Sequence, residues 1–155
     1  MSKKRRRQEG VIPEVDDRDY AVLASFRRSL RVFLAFSADA AREAGLTPQQ
    51  HQAILAIRGL APGGEVTIND LAHELLLKPQ TAVELVDRLE EAGLVQRKRA
   101  AEDRRRVLLE LTVCAEKALA PLSKAHLAQI GRDARQLIEL LERMSEYARG
   151  GAPPA

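Results

Sequence analysis

Lys78, Gln80 and Thr81 open an apolar-striped segment, KPQTAVELVDRLEEAGL, and a run of cations follows it at once. A glutamine amide can pair bidentately with an adenine edge. A threonine can touch a thymine methyl, and a lysine neutralises phosphate. Arg88 lies further along, off the apolar stripe; Glu84 could accept from a cytosine amino group or pair with Arg88 four residues on. The next stretch, VQRKRAAEDRRRVLLELT, places Arg97, Lys98 and Arg99 before a turn and Arg104, Arg105 and Arg106 after it. Strand alternation lets about half of these face a ligand. An arginine at a hairpin tip can enter a narrow minor groove, where negative potential is enhanced. Asp103 is expected to hold a neighbouring guanidinium and fix its direction. A helix that enters a major groove, beside a ribbon that reaches a minor groove, is chemistry suited to duplex DNA.

The flanking pattern says what must position these groups. Leu23, Phe26, Leu30, Phe33 and Leu34 mark a long helix ended by Gly45. Thr47-Pro48-Gln49-Gln50 reads as a capping box opening a second helix, which the Pro62-Gly63-Gly64 turn ends. Glu65 to Thr67 is expected as a short strand, and Thr67 as the cap of a third helix. Pro79 starts a fourth that Gly93 stops, with Ala82, Leu85, Val86 and Leu89 on one face. Two strands follow, with Val107, Leu109 and Leu111 turned inward. The last forty residues read as two helices broken near Gly131. The fold class is therefore mainly α with a small β-hairpin wing: a winged helix-turn-helix over 47–112, with helical dimerisation segments over 16–46 and 113–149. Residues 1–15 and 150–155 read as disordered tails. The terminal helices carry more apolar stripe than one small domain needs, which implies pairing with a second copy.

Charge is localised. The chain carries +3 overall, yet Lys3 to Arg7 alone contribute +5 and leave −2 for the rest. Gln96 to Arg106 hold six basic and two acidic residues. Such concentration is an electrostatic footprint for a polyanion, and the basic tail could add phosphate contacts or only solubility. Aromatic content is 3% with no Trp, which argues against base stacking on aromatic platforms. No apolar run approaches the roughly 18 residues needed to cross a bilayer, and no signal peptide is visible. A single cysteine, Cys114, suits a reducing cytoplasm and is expected as a packing residue. His51, His73 and His126 lack metal-ligand spacing, so neither a metal nor a cofactor is expected. No motif argues for catalysis, and an enzyme is kept only as a remote alternative.

The pieces LTPQQHQAILAI, TINDLAHELLLKPQTAVELVDRLEEAGLVQR and EDRRRVLLELT, in that order, resemble the MarR family of bacterial transcriptional regulators over roughly residues 20 to 148. The resemblance implies a homodimer that reads a pseudo-palindromic double-stranded operator, most often as a repressor in the cytoplasm. It puts recognition contacts on Lys78, Gln80 and Thr81 and the wing's Asp-x-Arg on Asp103 and Arg105. It also implies release by a small aromatic or phenolic effector, for which His51 is the one pocket candidate. The sequence departs from the family where Leu76 replaces a frequent Gly, where Val83-Glu84 replaces Ser-Arg, and at Ala115. The alternative is a winged-helix protein-interaction module, favoured by Glu84, Asp87, Glu90 and Glu91, which repel phosphate.

Overall fold

The computed structural model describes residues 15–103 and 105–148. The basic run Lys3–Arg7, the C-terminal tail and Arg104 lie outside them. In chain order the elements are α1 (Asp17–Glu43), α2 (Pro48–Leu60), a 3-10 turn (Ala61–Gly63), α3 (Ile68–Glu74), α4 (Pro79–Glu91), β1 (Val95–Arg99), β2 (Val107–Leu111) and α5 (Val113–Ala148). The chain divides into two compact units. Residues 34–129 form one; residues up to 33, with those from 130 onward, form the other.

The 34–129 unit extends beyond the 47–112 segment expected for the winged helix. Ala41 and Leu46, and Ala115, Leu119 and Leu122, share its core with Ile54, Ile57, Leu71, Leu85, Val86, Leu89 and Leu109. Its local structure follows from side chains that satisfy helix ends. Thr47 accepts from the Gln50 amide while the Gln50 side chain accepts from the Thr47 amide. Thr67 and Asp70 repeat that reciprocal cap at α3. The two hydrogen bonds from Thr67 hold the Asp70 carboxyl below its ordinary pKa. Thr112 closes the far side of the wing: its hydroxyl donates to the Gly93 carbonyl at 2.7 Å and accepts from the Ala115 amide at the start of α5.

β1 and β2 pair antiparallel, Val95 against Leu111 through Arg99 against Val107. Glu65 to Thr67 contributes a single bridge, Thr67 to Leu108, and not a full strand. Leu109 is buried, Leu111 half-buried and Val107 exposed, so the inward alternation fades toward the tip. α5 is one helix with Pro121 inside it, and it continues through Gly131, near which a break is expected from the sequence. A mid-helix glycine costs about 1 kcal/mol, too little to end a helix of this length.

In the 15–33 and 130–148 unit, Leu140 is buried while Tyr20, Leu23, Leu30, Ile138 and Leu141 are exposed.

α1, α3 and α4 end in the same way. In each, the amide two residues past the cap bonds back five residues and the amide before it bonds back three: Leu46 to Ala41 and Gly45 to Arg42, Leu77 to Ala72 and Leu76 to His73, Leu94 to Leu89 and Gly93 to Glu90. The motif needs a left-handed residue, and Gly45 and Gly93 supply it at φ 77° and 68°. Between α3 and α4 that place falls to Leu76 at φ 54°. The turn geometry is thus kept where glycine is missing, at the cost of a strained backbone. Leu76 is 91% exposed, so its side chain returns little packing energy. Leu76→Gly is expected to stabilise the fold by about 1 kcal/mol, a rise of a few degrees in Tm. Thermal denaturation checks this; a lower Tm in the variant would contradict the strain argument.

Candidate nucleic-acid interface

α4 buries Ala82, Leu85, Val86 and Leu89 and so turns the opposite face to solvent. Lys78, Gln80, Val83, Glu84, Asp87 and Arg88 are exposed there, with Thr81 half-buried in the first turn. Pro79 occupies the first helical position, and Lys78, at the N-cap, makes no side-chain cap. Unlike α2 and α3, this helix keeps first-turn amides without a side-chain acceptor. Amides of that kind, aligned with the helix dipole, attract an anion. Gln80 donates weakly to Glu84 at 3.4 Å, and Arg88 reaches back to the Gln49 side chain at 3.3 Å.

The hairpin separates its cations into two groups. Arg97 lies on the same strand face as the buried Val95, opposite Leu109. Its guanidinium was expected to face DNA; instead it bridges Asp87 and Glu90 of α4, each at 2.5 Å. Those two hydrogen bonds raise the guanidinium's pKa despite its partial burial. Lys98 pairs with Glu110 across the hairpin, and Arg106 pairs with Glu65 at 3.1 Å. Arg99 and Arg105 are exposed and no ion pair engages them among the described residues. Asp103 does something different from what its charge suggested. Its carboxylate accepts the Arg105 backbone amide at 3.0 Å, and its carbonyl accepts the Arg106 amide. It shapes the tip through the backbone, as short acidic side chains do in turns. Arg104 lies outside the described residues.

His51 is 2% exposed and neither ring nitrogen has a hydrogen-bond partner. Sequence reasoning missed its neighbours. His126 of α5 packs 4.8 Å away between ring centroids and meets Phe36 of α1 edge-on at 5.3 Å. The Leu122 carbonyl can only accept, so His126 Nδ1 carries the proton that donates to it at 2.6 Å. In the neutral ring, Nε2 then accepts from the Ser37 hydroxyl at 2.9 Å. His73 is exposed at the end of α3. Cys114 is exposed as well and does not take the packing role expected of it. Among the described residues no group of three or more His, Cys, Asp or Glu could hold a metal ion. No helix is long and apolar enough to cross a membrane.

Comparison with known proteins places these features. Residues 44–106 match the family model described as MarR family. Over 75 residues the chain is 39% identical to the HTH-type transcriptional regulator FarR of Neisseria gonorrhoeae. That alignment takes in 48% of this chain and 49% of FarR, so the chain spans about half the length of its curated relative. Two solved structures share the fold. CouR from Rhodococcus jostii, bound to p-coumaroyl-CoA, superposes with a TM-score of 0.64 at 23% identity, covering 84% of this chain and 90% of that one. A Staphylococcus aureus MepR variant bound to an oligodeoxyribonucleotide gives 0.57 at 21% identity, covering 88% and 96%.

Burial, and secondarily the charge of His126, lower the pKa of His51. The unfolded chain therefore takes up a proton near pH 6.5 that the folded chain refuses. Stability is retained above that pH and falls as the pH drops from about 6.5 toward the lowered value. Melting curves between pH 8 and pH 5 are expected to show that fall, and His51→Leu is expected to flatten it. An identical pH dependence in the variant would remove His51 as its source.

Proposed function

We propose that this chain, whose residues 44–106 match the MarR family model, is a MarR-type homodimeric, sequence-specific regulator that binds double-stranded DNA. We assign it the role of a repressor of a pseudo-palindromic operator, released by a small aromatic or phenolic effector. One observation carries the DNA reading: an exposed, uncapped first turn of α4, with Lys78, Gln80 and Thr81, stands on the same unit as a hairpin whose Arg99 and Arg105 remain available. Arg88 extends this surface as a phosphate contact, Asp103 shapes its tip, and Arg104, outside the described residues, is assigned a phosphate contact from its place in the sequence. The MepR variant bound to an oligodeoxyribonucleotide supports such use of the fold.

The exposed Leu23, Leu30, Ile138 and Leu141 support the dimer, because an apolar stripe on a helix seeks cover. The p-coumaroyl-CoA bound by CouR supports an aromatic effector. His51, with two unbonded ring nitrogens, is the residue we assign to it. The protein-interaction reading loses ground, since Asp87 and Glu90, two of the acidic groups behind it, are paired with Arg97, which offsets one of their two charges.

In a mobility-shift titration against the DNA upstream of its own gene, the protein is expected to bind as a dimer. Half-sites should lie about one turn, ~34 Å, apart. Affinity is expected to fall with salt at a log–log slope near −0.9 per neutralised phosphate. Arg105→Ala should weaken binding by roughly 1–3 kcal/mol; unchanged affinity would take Arg105 out of the interface. A saturating effector acid, at about 100 times its Kd, should stabilise the protein by roughly 2.7 kcal/mol in a thermal-shift screen and abolish the DNA shift. A screen of aromatic acids with no hit would count against that class of effector.

A further inference from the structure

α4 presents carboxylates to the polyanion it is proposed to read. Asp87 and Glu90 sit three residues apart on it, both exposed. Left unpaired they would oppose phosphate at close range. The structure answers this with one side chain from the wing. Arg97 Nη2 meets Asp87 Oδ1 and Nη1 meets Glu90 Oε2, and the Arg97 backbone amide points at Glu90 Oε1 at 3.4 Å. The Arg97 side chain is 25% exposed, against 51% and 43% for its partners, so it is the inner member of the cluster. Two carboxylates on one fork fix direction as well as distance, which a single exposed ion pair does not.

We propose that Arg97 is a positioning residue that sets sequence discrimination. It fixes β1 to the C-terminal half of α4, so that the wing and the first turn of the recognition helix meet one duplex in a single register. It does not itself contact phosphate. The inference rests on the DNA-binding reading above and adds to it a residue whose action runs through α4. A tether that holds two reading elements in one pose favours the sequence fitting both of them. A tether that is cut lets each element find backbone on its own, which raises non-specific binding relative to specific binding.

The test uses the full-length chain with two duplexes: one recovered by the wild-type protein from a randomised library, and a scrambled duplex of equal length. Dissociation constants are measured for both across a range of KCl concentrations. Asp87→Asn with Glu90→Gln removes two negative charges and frees Arg97. Charge alone predicts tighter binding to both duplexes by one common factor. Positioning predicts a gain on the scrambled duplex and a specificity ratio about three- to tenfold lower. Arg97→Met with Glu90→Gln conserves net charge, and is expected to weaken the selected duplex about tenfold while leaving its salt slope unchanged. Arg97→Lys keeps the charge but loses the fork, and should lower the ratio without moving the slope; it carries the test if the Met variant fails to fold. A slope smaller by about one in the Met variant would make Arg97 a phosphate contact and overturn the proposal. So would an unchanged ratio in the Asp87→Asn, Glu90→Gln variant. Wild-type protein that binds neither duplex overturns the DNA-binding reading itself, and this inference with it.

Discussion

The orientation of the recognition surface depends on four side chains that water cannot reach. Ala82, Leu85, Val86 and Leu89 lie on one stripe of α4 and are fully buried. Each large one removes about 1.5–3 kcal/mol worth of apolar surface from water, so a rotation of one residue about the helix axis would cost more than any surface contact could return. That stripe is what turns Lys78, Gln80, Glu84, Asp87 and Arg88 outward. The same core receives Val95 and Leu109 from the hairpin. The wing is therefore held by the burial that holds the helix, and its tip extends from a fixed base. Specific reading by two separate elements requires a base of this kind, because an error of an ångström at either one breaks a bidentate contact.

Apolar packing cannot by itself decide which charges are free. The register of the hairpin does that. With Val95 and Leu109 turned to the core, Arg97 is placed on their face and meets α4, whereas Lys98 is placed on the other and meets Glu110. Arg99, two residues nearer the tip, shares the Arg97 face but lies past the carboxylates, and it stays exposed. A one-residue slip would exchange these roles. Three of the basic side chains that looked alike in the sequence are consequently structural ion pairs. The positive field left over is concentrated at the turn, where Asp103 spends its carboxylate on the backbone and neutralises no described guanidinium.

The elements were legible because their ends are written in side chains. Thr47 with Gln50, Thr67 with Asp70, Gly45 and Gly93 are local signals, and local signals survive folding. Leu76 carried no such signal: a left-handed leucine is disfavoured by its own sterics, and only the need to join α3 to α4 in a fixed turn imposes it. Gly131 read as a helix break, yet α5 runs through it and through Pro121, because packing along a long amphipathic helix outweighs one or two local penalties. The Arg97 cluster was half visible. Asp87 and Glu90 stood out as wrong charges for the surface, but nothing in the spacing named the cation that answers them. The surroundings of His126, the ring that packs on His51, were invisible, since Ser37 and His126 are separated by 89 positions and only the tertiary fold brings them together.

That histidine pair marks a contrast within the 34–129 unit. Its core is apolar, and among the described residues the buried polar or charged side chains are His51 and His126. They lie where α1, α2 and α5 meet, with His126 bonded to Leu122 and Ser37 and set edge-on to Phe36. A buried ring with both nitrogens unbonded forgoes the hydrogen bonds it had in water, a cost of about 1–3 kcal/mol that any donor or acceptor reaching it would recover. An apolar residue in the same place would carry no such deficit and could not respond to a proton or a polar guest. The fold thus keeps α4 on an apolar core and, among the described residues, leaves its unsatisfied buried ring on α2, beside His126 of α5.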